Sequence, residues 1–177
     1  EPAAKQQGRL ISFIGARGGV GNTTMACNRA WPLAEMTKDE TILLDLDLNF
    51  GTAALSLNLD PKQSVGDALL DTDRLDNVLV ERFLMEHDEH LSVLSTQGTL
   101  KELYRPTTET VERLVDIVRQ MASYVVVDLP REWNDWVSNL LVLSDEVVVT
   151  AVPDLSSLRD AKMTVDWLRA RRGEHAN

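Results

Sequence analysis

The chain has 177 residues, enough for one domain with a substantial core. Hydrophobic residues make up 44% and charged residues 26%, which are globular proportions, and 28 acidic against 18 basic side chains give a formal net charge of −10. That balance argues against binding nucleic acid through its phosphates, and no apolar run approaches the roughly 18 residues that span a bilayer.

Residues 1–8 read as a linker from an upstream domain: Glu1-Pro2-Ala3-Ala4-Lys5-Gln6-Gln7 has no apolar stretch and is not a signal peptide. Residues 9–177 then alternate β-branched runs with helical periods. The first strand is expected at Leu10–Ile14, followed by a glycine-dense loop and a helical stretch. On that stretch Cys27 sits among Ala26 and Ala30 as a packed residue, and Pro32 is expected to kink or end the helix. A single cysteine excludes an internal disulfide framework and makes the reducing cytoplasm the expected compartment. The second strand is expected at Thr41–Leu46. His87-Asp88-Glu89-His90 reads as a polar turn rather than a metal site, and a third strand follows at Leu91–Leu94.

Val111, Leu114, Val115 and Val118 recur at helical spacing behind Pro106 and the acids Glu109 and Glu112. Tyr124–Asp128 is the next strand. Trp133, Trp136, Val137 and Leu140 repeat the helical spacing, which makes the tryptophans core residues unless they anchor an interface. Glu146–Val152 is the last strand, and Leu155, Leu158, Ala161 and Val165 mark the last helix. Arg169, Arg171 and Arg172 form the only basic cluster and suit the final turn of that helix. Alternating strands and helices predict an α/β fold, a doubly wound and mostly parallel sheet with helices on both faces. Such sheets bind ligands at the carboxyl ends of their strands, so function is expected just after Ile14, Leu46, Asp128 and Val152.

Each of those places carries unusual residues. After the first strand comes Gly15-Ala16-Arg17-Gly18-Gly19-Val20-Gly21-Asn22-Thr23-Thr24. Glycines let successive backbone N–H groups converge on phosphate oxygens, and a helix N-terminus adds positive potential. Gly18, Gly19, Val20, Gly21 and Asn22 would form that cradle. Thr23 stands where a hydroxyl ligates Mg²⁺, and Thr24 where one reaches a phosphate oxygen. A standard phosphate loop has glycine at Ala16 and lysine at Asn22. Asn22 can donate a hydrogen bond but brings no charge. Asp128 ends an apolar strand, where an unpaired carboxylate is costly, and holding Mg²⁺ would explain it. Asp45 and Asp47 flank Leu46; one is expected to orient water near the γ-phosphate and the other to hold structure, with Asp47 the choice for the water.

Arg17-Gly18-Gly19-Val20-Gly21-Asn22-Thr23-Thr24 resembles the deviant Walker A loop of the MinD/ParA ATPases. The Ala16-Arg17-Gly18-Gly19 opening and the missing second lysine are most similar to the CpaE/TadZ branch. Leu43 to Gly51 resembles the family's switch aspartate segment. Tyr124-Val125-Val126-Val127-Asp128-Leu129-Pro130 resembles its Walker B strand, and Glu146 to Arg159 the strand and helix start near the nucleotide base. The resemblance implies ATP and Mg²⁺ as cofactors, Thr23 and Asp128 as metal ligands, and Pro153 and Asp154 near the base. Arg17 takes the place of a lysine that reaches across a nucleotide-sandwich dimer, so the resemblance implies an arginine finger, acting in its own subunit or in its neighbour's. It also implies a receiver-like upstream domain and a domain that continues beyond Trp167-Leu168.

The function implied is an ATP-binding positioning and scaffold protein of type IVb (Flp/Tad) pilus assembly. It would be a homodimer, cytoplasmic at a cell pole or the inner membrane face, contacting pilus components. Asn22 makes it at most a slow ATPase, because losing one such electrostatic contact costs on the order of 10²–10³ in rate. The alternative is an active MinD/ParA-type ATPase that positions chromosomes, plasmids or the septum. Less expected are a small-substrate enzyme, which would need the missing lysine, and an interaction module that binds no nucleotide.

Overall fold

The computed structural model describes residues 7–70, 75–96 and 103–173. Residues 1–6 of the expected linker lie outside them; Gly8 is fixed to the domain, its N–H donating to Arg119 O and its carbonyl accepting from Arg119 Nε. The elements run β1 (Arg9–Gly15), α1 (Asn22–Thr37), β2 (Thr41–Asp45), α2 (Ala53–Ser56), α3 (Val65–Leu70), α4 (Asn77–Phe83), β3 (Met85–Glu86), β4 (Leu91–Leu94), α5 (Thr108–Met121), β5 (Tyr124–Asp128), α6 (Asp135–Leu143), β6 (Glu146–Thr150) and α7 (Leu155–Arg172). The strand order is β3-β4-β2-β5-β1-β6, parallel except where β3 pairs antiparallel with β4. The expected doubly wound α/β fold is the observed one.

Alternation along the strands builds two cores. Ile11, Phe13, Leu43 and Val126 face α1 and pack on Ala26, Cys27, Ala30 and Ala34. Leu10, Ile14, Ile42, Leu44, Val125 and Val127 face the other way, onto α3 to α6. The α5 period is as expected: Val111, Leu114, Val115 and Val118 are buried, and Thr107 caps the helix by accepting from Thr110 N.

Four local expectations need correction. Helix α1 does not end at Pro32 but runs through it to Thr37; Pro32 and the preceding turn at Asn28 and Arg29 are exposed, which leaves the carbonyl freed by the missing N–H on the solvent side. Helix α6 starts at Asp135, since Asn134 caps it by accepting from Val137 N; Trp133 therefore lies outside the helix, half exposed, edge-on against Trp167 at 4.9 Å. Strand β6 stops at Thr150, two residues early, because the Ser157 hydroxyl captures Val152 N. On α7 the buried positions are Ser157, Thr164 and Leu168, while Leu155 is 90% exposed. The two-residue strand β3 is too short to show in the sequence pattern. It belongs to a hairpin whose turn is closed by Asp88 Oδ1, which accepts from His90 N and Leu91 N.

Candidate nucleotide site

The β1–α1 loop is shaped by two glycines. Gly19 and Gly21 have φ of 77° and 83°, and Gly21 is the N-cap of α1. The loop entrance is tied to β6, since Ala16 N donates to Thr150 O. Arg17, Gly18, Gly19, Val20, Gly21, Asn22 and Thr23 then line a cavity of about 330 Å³, closed on the far side by Asp47, Thr52, Asp128 and Arg131. Thus three segments of the chain, one after each strand, converge at the carboxyl ends of β1, β2 and β5. Thr24, Asp45, Pro153 and Asp154 do not line it; Thr24 is exposed on the first turn of α1.

Asn22 turns inward. Its Nδ2 donates to Asp128 Oδ1 at 2.8 Å and to Phe13 O at 3.1 Å, so the amide latches α1 to the ends of β5 and β1. Where a lysine would reach out toward phosphate, this side chain is spent on the wall. Asp128 is 1% exposed, and burial foremost raises its pKa to about 6, against hydrogen bonds from the Thr23 and Asn22 side chains. Two oxygens here, Asn22 Oδ1 and Asp128 Oδ2, are buried without a partner among the described residues. A buried carboxylate with an orphaned oxygen, beside a threonine hydroxyl, is the hard-oxygen donor set that suits Mg²⁺ completed by phosphate oxygens and water. The residues fit the ion.

The two aspartates after β2 divide their work. Asp45 is fully buried; Oδ1 accepts from Asp47 N and Oδ2 from Ala53 N and Ser95 Oγ. Burial, then repulsion from Asp128, raises its pKa to about 7. Its carboxylate holds the loop, and Gly51 is glycine because a Cβ there would lie 2.4 Å from Asp45 Oδ2. Asp47 is half buried and faces the cavity, oriented by Phe50 N donating to its Oδ1, with its pKa raised by burial. A larger cleft of about 750 Å³ opens on the other side of Asp47, between Phe50, Tyr104, Thr107 and Asp135.

Arg17 is engaged within its own chain. Nη1 donates to Ser156 Oγ at 2.6 Å and to Asp154 Oδ1 at 3.3 Å. Asp154 caps α7, and its carboxyl is held below the usual range by Ser157 N first and Ser156 next, with Arg17 a lesser cause. Both partners of the Arg17–Asp154 pair are about half exposed, at 46% and 48%, so the contact is weak and readily exchanged. Sequence reasoning missed Arg131 and Thr52 in the wall and Ser95 beneath it. Of these only Arg131 left a visible signal, a cation directly behind the Asp128-Leu129-Pro130 ending.

A parallel doubly wound sheet with a glycine loop between β1 and α1 and a carboxylate ending β5 defines the P-loop NTPase class. Residues 8–169 match the AAA_31 family, described as an AAA domain, and the chain belongs to it. With it the chain belongs to the MinD/ParA superfamily of P-loop ATPases. The septum site-determining protein MinD of Synechocystis sp. is 26% identical over 168 residues, covering 92% of this chain and 60% of that protein. Among solved structures, a ParA family ATPase from Chlorobium tepidum superposes with a TM-score of 0.81 at 25% identity, covering 91% of this chain and 67% of that one. The septum site-determining protein MinD of Pyrococcus horikoshii, solved in complex with Mg-ADP, superposes with a TM-score of 0.76 at 20% identity, covering 92% and 66%. The chain thus spans about 60% of the length of the first curated relative it matches.

Proposed function

We propose that the chain binds ATP with Mg²⁺ in the β1–α1 cavity and works as a nucleotide-dependent positioning and scaffold protein whose hydrolysis is slow or absent. The observation that carries this reading is the Asn22 latch: the loop keeps its cradle while its lysine position is neutral and bonded to Asp128 and Phe13. Backbone N–H groups of residues 18–23 donate to phosphate oxygens, and Thr23 and Asp128 are the residues that would hold the metal. Bound Mg²⁺ supplies neutralisation of phosphate charge. Asp47 orients a water, with Asp45 fixing the loop behind it. Arg17 exchanges its exposed contact with Asp154 for phosphate, in its own chain or across a homodimer.

In its finer form the reading is a role in type IVb pilus assembly, with pilus components as partners and a polar or inner-membrane position. That form rests on the Ala16-Arg17-Gly18-Gly19 opening and on Asn22, which resemble the CpaE/TadZ branch. A second reading, an active septum- or DNA-positioning ATPase, is favoured by the MinD relatives and by the retained Thr23, Asp47 and Asp128.

Calorimetric titration of ATP with and without Mg²⁺ tests the proposal. Mg²⁺-dependent binding in the micromolar range is expected, and absence of binding at millimolar ATP overturns it. Turnover separates the two readings. Asn22→Lys is expected to raise it by roughly 10²–10³-fold, the usual worth of one preorganised contact to a transition state. A wild-type chain that already turns over as fast as this variant favours the active ATPase.

A further inference from the structure

The site poses a charge problem. A polyanionic triphosphate must enter a cavity whose wall carries Asp47 and Asp128, on a chain with a formal net charge of −10. The lysine position holds neutral Asn22, already bonded to the wall. Among the described residues only two cations line the cavity, Arg17 and Arg131. Arg17 is shared with Asp154 and Ser156 on the β6 side.

We propose that Arg131 replaces the missing lysine as the resident phosphate-binding cation. This rests on the nucleotide-binding reading above and assigns a further residue to that site. Arg131 follows buried Pro130, whose ring fixes the chain two residues beyond Asp128. Its Nε donates to Ala16 O at 2.8 Å, which seats the guanidinium over the start of the phosphate loop. An arginine has five donors, and the remaining four have no acceptor among the described residues. Arg131 also makes no ion pair there, unlike Arg17. A planar fork anchored by one edge, with its other edges unengaged beside a phosphate-shaped loop, matches bidentate recognition of phosphate oxygens. The positive charge thus moves from the helix side of the pocket to the β5 side.

The experiment is titration of wild type, Arg131→Gln and Arg131→Lys with Mg-ATP and with adenosine, after thermal melts confirm that each variant folds. Glutamine still offers Ala16 O a donor but carries no charge, so a mere loop clamp predicts near-normal affinity for it. The proposal predicts that Arg131→Gln loses roughly 10–100-fold in Mg-ATP affinity, the worth of a charge-assisted contact. Arg131→Lys, which keeps the charge but not the planar fork, falls between wild type and Arg131→Gln, and adenosine binding is unchanged throughout. Adding Asn22→Lys to Arg131→Gln restores binding, since the charge returns from the other wall. Wild type that binds Mg-ATP while Arg131→Gln binds it equally well overturns this assignment alone. Wild type that binds no nucleotide overturns the underlying reading as well.

Discussion

The two faces of the sheet are built from different materials. The face away from α1 is a thick aliphatic layer, with Leu10, Ile14, Leu114 and Leu140 fully buried. Its buried polar contacts are modest, such as the Ser12 and Ser144 hydroxyls paired at 2.7 Å. The α1 face is packed with small residues, Ala26, Cys27, Ala30 and Ala34, so the helix lies close to the strands. That closeness brings Asn22 within reach of Asp128 and buries both Asp128 and Asp45. Even Cys27 feels it, its thiol pushed up to about 12 by burial and by the nearby Asp128 and Asp45 charges. One face is therefore built of aliphatic packing, while the other gathers the buried carboxylates at and beside the proposed nucleotide site.

Breaking the aliphatic face should show this division most strongly. Leu114→Ala removes a fully buried side chain from the centre of that layer and is expected to cost about 2–5 kcal/mol of stability. Urea melts give the loss. Mg-ATP affinity of the molecules still folded should stay within about threefold of wild type. A comparable loss of affinity would mean that the two faces are not energetically separate.

The second test concerns pH, without metal. Asp45 and Asp128 both have folded pKa values raised above their unfolded ones, to about 7 and about 6, so between pH 4 and 7 the folded chain holds more protons. Stability is then greatest at the acidic end and falls as pH rises through this window, by on the order of a few kcal/mol from pH 5 to 7.5. Urea melts across that range, in chelator, check the sign. Asp45→Asn should flatten the fall, whereas Leu114→Ala should lower the whole curve and leave its slope. A wild-type curve that rises with pH would sink the argument.

The same contrast explains what was legible in the sequence. Strands buried on both faces read as unbroken apolar runs, and β4 and β5 have the bounds those runs predict. The glycine loop and Thr23 were visible because spacing along one strand–loop–helix segment fixes them, and Asp128 because it ends an apolar run. Trp133 misled, since helical spacing cannot register that Asn134 starts the helix two residues later. On α7 the apolar residues were visible but their direction was not, because Leu155 and Leu158 point away from the sheet. The division between Asp45 and Asp47 depended on Ser95, fifty positions away on the neighbouring strand end. Arg131 was visible only as a cation behind the Asp128-Leu129-Pro130 ending; the bond to a backbone carbonyl that brings it into the site is recorded by no side-chain pattern.

The smallest expected effect is the most informative about Arg17. Asp154 does two things: it caps α7 by accepting from Ser157 N at 2.7 Å, and it pairs with Arg17. Asn is as good a cap as Asp, so Asp154→Asn keeps the first and deletes the charge of the second. An ion pair between half-exposed side chains is worth about 0–1 kcal/mol, so urea melts should barely move. The nucleotide response should move in the favourable direction, because Arg17 then leaves only a neutral partner and Ser156 to reach phosphate. A gain of roughly two- to fivefold in Mg-ATP affinity is expected on that account. If affinity instead falls, Asp154 serves the bound state directly and Arg17 is not restrained by it. Asp154→Ala cannot make this distinction, since it removes the cap and the charge together.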